Sequence, residues 1–221
     1  MNPVDLRLYG IIDPERTSGR DPVALVRQAV AGGATLIQYR DKHAEGHRLV
    51  ELARALQEAL KDTGVPLLIN DRVDVALASG ADGVHLGQDD MHPADARRLL
   101  GSSAIIGLTL KTLEQADELA GLPVDYSCIG GVFATFSKNN PSPPIGIEGL
   151  AGILTRVRHS GGLPVGAIAG IDASNAGAVM SAGVDGLAVI SALFMAPDPR
   201  AQAQQLRQIV DQQLTSRRAV A

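Results

Sequence analysis

The sequence predicts an α/β fold in which eight parallel strands, each followed by a helix, form one (β/α)8 TIM barrel over residues 1–221. Short apolar runs alternate with amphipathic segments along the whole chain, with no change in composition. The apolar runs are continuous, as expected for parallel strands buried on both faces. The alternative is an open doubly wound sheet. That fold usually has a glycine-rich loop after its first strand, and Ile11–Glu15 contains no glycine.

The predicted elements follow one another in a regular order. Strands are expected at Leu6–Ile12, Leu36–Arg40, Leu67–Asn70, Gly83–Leu86, Ala104–Leu108, Tyr126–Gly130, Val165–Ala169 and Leu187–Ile190. Helices are expected at Pro22–Ala31, His47–Lys61, Val73–Leu77, Pro93–Leu100, Leu113–Ala120, Ile147–Arg158, Ala173–Ser181 and Pro199–Gln213. Similar glycine-containing junctions, which stop a helix and lead into the next strand, begin at Ala31, Ser79 and Ser181. The tail Thr215–Ala221 is expected to be disordered.

Composition limits the kind of partner. The formal net charge of -4 argues against a nucleic acid or an anionic membrane surface as partner. No apolar run approaches the roughly 18 residues that a membrane span needs, and the N-terminus does not resemble a signal peptide. The single cysteine, Cys128, is expected to be a buried small residue. We therefore expect a cytoplasmic protein with small-molecule ligands, and a homodimer is the commonest oligomer to expect.

Two carboxylates follow neighbouring predicted strands. Asp71 comes directly after Leu67–Asn70, and Asp90 comes shortly after Gly83–Leu86. The carboxyl ends of adjacent parallel strands lie on the same rim, where a barrel carries its chemistry. Two like charges that lie close together repel each other. A divalent metal ion held between Asp71 and Asp90 is the simplest explanation of this pair.

The second predicted strand ends in Gln38-Tyr39-Arg40-Asp41-Lys42. Because side chains alternate along a strand, Gln38, Arg40 and Lys42 are expected to point one way and Tyr39 the other. If the first set points inward, an amide and two cations enter the barrel mouth. That arrangement is typical of a pocket for a highly anionic group such as pyrophosphate. The alternative is a salt-bridged strand end with Asp41 outside.

A second anion-binding region is predicted across the rim. The long loop Gly131–Gly146 offers hydroxyls at Thr135 and Ser137, a cation at Lys138 and glycine amides, a combination that suits a phosphate. An ordinary polar loop is the alternative, although loops of this length are more often functional. The last two strands end near Gly170 and Ser191, and the loops there form the usual phosphate site of a barrel.

The remaining motifs add little chemistry. His85 lies within a predicted strand, with no second His or Cys at metal-ligand spacing, and is interpreted as a hydrogen-bonded core histidine. The sequence has no Gly-x-Ser-x-Gly motif, no Walker loop and no zinc pattern.

Together these motifs resemble thiamine-phosphate synthase, from about Tyr9 to the last helix. The segments that carry the resemblance are Gln38–Lys42, Asn70–Arg72, His85–Asp90, Thr135–Lys138 and Val189–Ser191. The resemblance implies a (β/α)8 transferase that joins 4-amino-5-hydroxymethyl-2-methylpyrimidine diphosphate to 4-methyl-5-(2-phosphooxyethyl)thiazole or its carboxylated form. The products would be thiamine phosphate and pyrophosphate, and Mg²⁺ would be the cofactor.

The resemblance also implies roles for individual residues. Arg40, Lys42 and Lys138 would be catalytic, and Asp71 and Asp90 would bind Mg²⁺. The pyrimidine diphosphate would be held by Gln38, Tyr39, Arg40, Asp41, Lys42, Asn70, Thr109 and Lys138. The thiazole phosphate would be held by Thr135, Phe136, Ser137, Gly170, Ile190 and Ser191.

Three departures from the family pattern lie mostly on the thiazole side. Lys111 stands where the family usually has a histidine, Gly131 replaces a frequent proline, and Ala169 replaces the first glycine of a Gly-Gly pair. Two other functions fit the same fold. One is a thiazole tautomerase, which would not need Gln38, Arg40, Lys42 and the aspartate pair. The other is a non-catalytic regulatory barrel, which would be expected to lack the aspartate pair.

Overall fold

The structure is a computed structural model that describes residues 3–137 and 143–220. Within these residues, eight parallel strands hydrogen-bond in chain order and close into a barrel. Closure comes from pairing of the first strand with the last, in the register Leu8 with Leu187. The (β/α)8 prediction is therefore confirmed. The strands are β1 (Leu8–Ile12), β2 (Leu36–Tyr39), β3 (Leu67–Asn70), β4 (Gly83–Leu86), β5 (Ile105–Leu110), β6 (Tyr126–Ile129), β7 (Val165–Ile168) and β8 (Gly186–Val189).

Helices alternate with the strands and surround the barrel. A short 3-10 helix, Pro14–Arg16, follows β1. The α-helices are α1 (Pro22–Ala31), α2 (Gly46–Leu60), α3 (Val73–Ser79), α4 (Pro93–Leu100), α5 (Leu113–Glu118), α6 (Gly146–Ser160), α7 (Ala176–Ser181), α8 (Ser191–Phe194) and α9 (Pro199–Val220). In the part of the chain that the structure describes, no helix combines the length and the apolar character needed to cross a membrane.

Three helices differ most from the sequence prediction, and one of them, α8, was not predicted. Helix α7 starts at Ala176, because the Asp172 carboxylate accepts the Ser174 N–H at 2.8 Å and so holds the preceding residues in a turn. Helix α9 continues to Val220, through the segment where a disordered tail was expected. The Arg217 guanidinium donates to the Val184 carbonyl at 2.8 Å, which ties this last part of the helix to the barrel.

The barrel wall separates two layers of buried side chains. The outer layer lies between the strands and the helices and includes Ile37 and Leu56. The inner layer fills the barrel and includes Tyr9 and Tyr126. A Cβ on Gly107 would lie 2.1 Å from the Tyr126 ring, so glycine is needed there to admit the tyrosine. Because the interior is packed, the inward-facing side chains near the carboxyl ends of the strands line a closed-bottomed mouth.

Candidate active site

The mouth at the carboxyl ends of the strands is a cavity of about 520 Å³. It is lined by side chains from β1–β8 and from the loops that follow them. Among the predicted site residues, it brings together Gln38, Arg40, Asn70, Thr109, Ser137 and Ser191. Lys138, predicted to be both catalytic and diphosphate-binding, lies outside the described residues.

The end of β2 follows the predicted alternation. Gln38 is buried, lines the mouth and donates from Nε2 to the Tyr9 hydroxyl. Arg40 also lines the mouth, where its guanidinium pairs with the carboxylate of Asp13, which is buried. The other carboxylate oxygen of Asp13 accepts the Glu15 N–H at 3.1 Å and caps the short helix after β1. Asp13 therefore fixes the Arg40 guanidinium in place and balances part of its charge.

The side chains of Tyr39 and Asp41 lie elsewhere, although both were predicted to hold the diphosphate. The Tyr39 ring packs in the outer layer, and burial raises the pKa of its hydroxyl. The Asp41 carboxylate accepts the backbone N–H groups of His43 and Ala44 at 3.0 and 2.9 Å, and so shapes the loop before α2. Neither side chain lines the mouth, because alternation along β2 turns Tyr39 outward and loop capping engages Asp41.

The predicted aspartate pair lies at the rim, where β3 and β4 end. Asp71 accepts from the ammonium of Lys42 and, at 2.6 Å, from the amide of Asn70. Asp90 accepts the Gly87 N–H at 2.7 Å. Partial burial, together with a hydrogen bond and charge repulsion from Asp71, raises the pKa of the Asp90 carboxyl. The two carboxylates therefore lie close enough to interact, as the sequence predicted from the ends of neighbouring strands.

The residues predicted to hold the thiazole phosphate meet on the other side of the mouth. The Ser137 hydroxyl, on the loop after β6, donates to the Ser191 hydroxyl at the start of α8 over 3.1 Å. Thr135 Oγ1 accepts the Ser137 N–H at 3.2 Å. Gly170 and Ile190 also line this side of the mouth. Hydroxyl groups clustered beside a backbone turn can hold a phosphate.

The loop after β6 is held to its neighbours through backbone carbonyls. The Phe133 N–H donates to the Ala169 carbonyl at 3.0 Å, and a Cβ on Gly170 would lie 2.4 Å from the Ala134 carbonyl oxygen. Arg16 donates from Nη2 to the Phe136 carbonyl at 2.8 Å across the mouth. The Phe136 ring itself is 95% exposed. The described first part of the loop, up to Ser137, is thus held by its main chain, while the Phe136 side chain stays in solvent.

All three departures from the family pattern, Lys111, Gly131 and Ala169, lie in the wall of the mouth. Ala169 has a φ of +95°, in the region that favours glycine, so the missing glycine leaves a strained residue at the turn after β7. Lys111, at the end of β5, lines the mouth near Gly130, and its backbone N–H donates to the Gln115 side chain at 2.6 Å. Lys111 therefore adds a cation to the wall where a histidine is usual.

Sequence reasoning did not find several residues that shape the mouth. Asp13 has the same sequence signal as Asp71, a carboxylate directly after an apolar strand, but it was not predicted to be a site residue. Arg16 gives no signal, because its contact with Phe136 joins residues far apart in the sequence. His85 is the buried, hydrogen-bonded histidine that was predicted, but it also lines the mouth.

Comparison with known proteins gives a consistent result. The family model described as thiamine monophosphate synthase matches residues 8–193. Thiamine-phosphate synthase from Agrobacterium fabrum is 50% identical over 98% of this chain and 99% of its own length. The enzyme of that name from Azorhizobium caulinodans is 48% identical over 98% of this chain and 99% of its own length.

A solved structure agrees with these relatives. Thiamine phosphate pyrophosphorylase from Pyrococcus furiosus superposes with a TM-score of 0.84 at 39% identity, over 96% of this chain and 98% of its own. Both the fold and the sequence are therefore shared along nearly the whole length. The chain belongs to the thiamine monophosphate synthase family and is a transferase that makes thiamine phosphate.

Proposed function

We propose that this chain joins 4-amino-5-hydroxymethyl-2-methylpyrimidine diphosphate to 4-methyl-5-(2-phosphooxyethyl)thiazole or its carboxylated form. The observation that carries the proposal is that polar side chains gather in two separate groups at the carboxyl ends of the strands. Arg40, Lys42 and the aspartate pair lie where β2–β4 end, and hydroxyls cluster where β6–β8 end. A diphosphate and a monophosphate can therefore bind side by side, with their reacting atoms between them.

The aspartate pair suits Mg²⁺. The two carboxylates repel each other, and the Lys42 ammonium balances only part of their charge, so a bound divalent cation would relieve the repulsion. Carboxylate oxygens are the ligands that Mg²⁺ prefers. Among the described residues no third His, Cys, Asp or Glu completes a cluster, so Asp71 and Asp90 would leave positions open for diphosphate oxygens. Bound there, Mg²⁺ would neutralise part of the diphosphate charge and favour its departure.

The chain's own residues supply the remaining electrostatic stabilisation. Breaking the C–O bond builds negative charge on pyrophosphate, and Arg40 and Lys42 are placed to disperse it. Lys138 stays a prediction for the same task. Asn70 binds Asp71 through its amide and so orients that carboxylate toward the rim.

No protein nucleophile is required for this reaction. An electron-rich aminopyrimidine can bear the positive charge left on its exocyclic carbon, and the thiazole nitrogen then attacks that carbon. Holding both substrates together supplies much of the rate enhancement. This dissociative course predicts that electron-withdrawing groups on the pyrimidine slow single-turnover chemistry; rates that ignore such groups would exclude it.

On the thiazole side, Ser137, Ser191 and Thr135 are placed to hold the phosphate. The turn at Gly170 brings main chain close to the same place, because the glycine lets it pack against Ala134. Phe136 and Ile190 would contact the same substrate. These roles stay predictions, as do a homodimer and a cytoplasmic location.

Neither alternative function is favoured by the geometry. A tautomerase would act on the thiazole alone and would not need the Arg40, Lys42 and aspartate group. A regulatory barrel would be expected to have lost the aspartate pair, which this chain keeps at one rim.

Binding at the aspartate pair can be tested with Mg²⁺ and pyrophosphate alone. We expect pyrophosphate to raise the melting temperature only when Mg²⁺ is present, and Asp71→Ala to abolish that rise. Asp74→Ala is the matched control, because Asp74 pairs with Arg72 on the exposed face of α3 and its loss removes the same charge. Stabilisation that survives in Asp71→Ala would remove the metal from this site.

A further inference from the structure

A chain of buried hydrogen bonds crosses the barrel beneath the mouth. Gln38 donates from Nε2 to the Tyr9 hydroxyl, and the Tyr9 and Tyr126 hydroxyls lie 2.8 Å apart. The Tyr126 hydroxyl lies 2.7 Å from His85 Nδ1, and His85 Nε2 lies 2.7 Å from Thr109 Oγ1. We call these five residues the inner chain. Its two ends, Gln38 and Thr109, line the mouth and are proposed to hold the pyrimidine.

With the Gln38 amide oriented as in the structure, the inner chain satisfies both phenol groups in only one direction. The Gln38 NH₂ group can only donate, so Tyr9 accepts there and its own proton can go to Tyr126. Tyr126 then donates to His85 Nδ1, and His85 donates from Nε2–H to Thr109. In the reverse order Tyr126 would donate to Tyr9, and the Tyr9 O–H would have no partner among the described residues.

The reverse order is therefore unfavourable. Tyr9 and Tyr126 are both almost completely buried, at 1% and 0% exposure. A buried hydroxyl without a partner costs about 1–3 kcal/mol. Burial also raises the pKa of both tyrosines, so each keeps the proton that the first order uses. Barrel closure brings Tyr9 and Tyr126 together, and the Gln38 NH₂ group that donates to Tyr9 sets the direction of the inner chain.

We propose that the inner chain is a positioning device that fixes which hydrogen-bonding atom each of its ends presents to the substrate. Gln38, with its Nε2 held by Tyr9, presents Oε1 as an acceptor. Thr109, with its oxygen accepting from His85, presents its O–H as a donor. In this scheme Tyr9, Tyr126 and His85 act through Gln38 and Thr109, although Tyr9 and His85 also line the mouth.

The inference rests on the proposed function for the identity of the ligand and gives a reason for its selection. A 4-aminopyrimidine offers a donor, its amino group, together with acceptor ring nitrogens. This pattern complements an acceptor at Gln38 and a donor at Thr109. The 4-oxo analogue replaces the amino donor with a carbonyl acceptor, which would meet the Gln38 Oε1 atom. The mouth should therefore discriminate between the two rings, since mismatched polar groups lose binding.

Discrimination can be measured with the 4-amino and 4-oxo pyrimidine monophosphates as ligands, by calorimetry of the full chain. We expect the wild-type preference for the 4-amino ring to fall about tenfold, the size of one hydrogen bond, in Tyr9→Phe and in Tyr126→Phe. Tyr9→Phe removes the contact that orients Gln38, the residue proposed to meet the amino group, so its loss should be at least as large as that of Tyr126→Phe.

The same variants carry their own controls. Binding of pyrophosphate with Mg²⁺ should stay unchanged, because Arg40 and Lys42 do not belong to the inner chain. A merely structural role would weaken both monophosphates equally and leave their ratio as it is in the wild type. That result would overturn the proposal.

The donor-to-acceptor direction of the inner chain can be tested without any substrate. The ¹⁵N NMR signals of His85 can be assigned because they are missing from the spectrum of His85→Gln. In the wild-type protein we expect these signals to show a neutral ring with the proton on Nε2. A proton on Nδ1, alone or together with one on Nε2, would mean that the hydrogen bonds of the inner chain run in the opposite direction, and this result would refute the inference. This readout holds even if the protein binds neither pyrimidine, an outcome that would instead contradict the proposed substrate.

Discussion

Replacing Ala169 with glycine should make the protein more stable. Ala169 has a φ of +95°, and this left-handed backbone costs a residue with a Cβ about 1–3 kcal/mol. Glycine relieves that strain but is more flexible in the unfolded chain, which costs about 0.5–1 kcal/mol. The net expected gain in the free energy of unfolding is therefore about 1 kcal/mol. The Phe133 N–H keeps its bond to the carbonyl of residue 169, because that bond involves only main chain.

The assay is urea denaturation of the wild type and Ala169→Gly, supported by the melting temperature, which should rise by roughly 2–4 °C for a chain of this length. Ala182→Gly is the matched control. Ala182 has a φ of -67°, where alanine is unstrained, so the same substitution should lower stability by about 0.5–1 kcal/mol. Equal losses in both variants would refute the strain argument. Because Ala169 lines the mouth, any change in KM should concern the thiazole phosphate and spare the pyrimidine diphosphate.

Three further predictions concern buried or paired charges and the lone thiol. Asp13→Asn leaves Arg40 without its charged partner and should lower the free energy of unfolding, measured in urea, by about 3 kcal/mol. Pyrophosphate should then stabilise the variant more than it stabilises the wild type. The absence of this rescue would be evidence against an anion site at Arg40. Because the pKa of Asp90 is raised in the folded protein, the stability that its protonated carboxyl contributes is fully present below pH 3.8, the ordinary pKa. That contribution is lost as the pH rises through the pKa of the folded state. Asp90→Asn should therefore stabilise the metal-free protein at pH 7 in denaturation experiments with a chelator while abolishing Mg²⁺-dependent turnover, and a less stable variant would contradict the repulsion. Burial raises the pKa of Cys128 to about 12, so iodoacetamide at about pH 8 should label the thiol only after unfolding, as mass spectrometry would show; rapid labelling of the native protein would place the thiol in solvent.

The barrel could be predicted from the sequence because its strands are continuous apolar runs separated by helices of the right period. Alternation along β2 also placed Gln38 and Arg40 in the mouth and turned Tyr39 away from it. Asp71 and Asp90 were predicted to meet because parallel strands end on one rim. In each case a local pattern and the symmetry of the fold were sufficient.

Features that depend on barrel closure could not be predicted in this way. Tyr9 and Tyr126 are separated by 117 positions in the chain, and only their side-chain geometry shows that they share a hydrogen bond. The pairing of Asp13 with Arg40 is different: it joins the ends of the adjacent strands β1 and β2, where Ile12 pairs with Tyr39, so strand order would have been sufficient to predict it. The strain at Ala169 arises from a backbone angle, which the identity of the residue alone does not reveal.

The most direct test of the account is formation of thiamine phosphate by the purified protein from the pyrimidine diphosphate and the thiazole phosphate, with and without Mg²⁺. The account predicts product and an equal amount of pyrophosphate, both dependent on Mg²⁺ and on the presence of both substrates. Product that forms equally well without any divalent metal would contradict the role given to Asp71 and Asp90. No product, with neither substrate bound, would contradict the division of the mouth into a diphosphate and a monophosphate region.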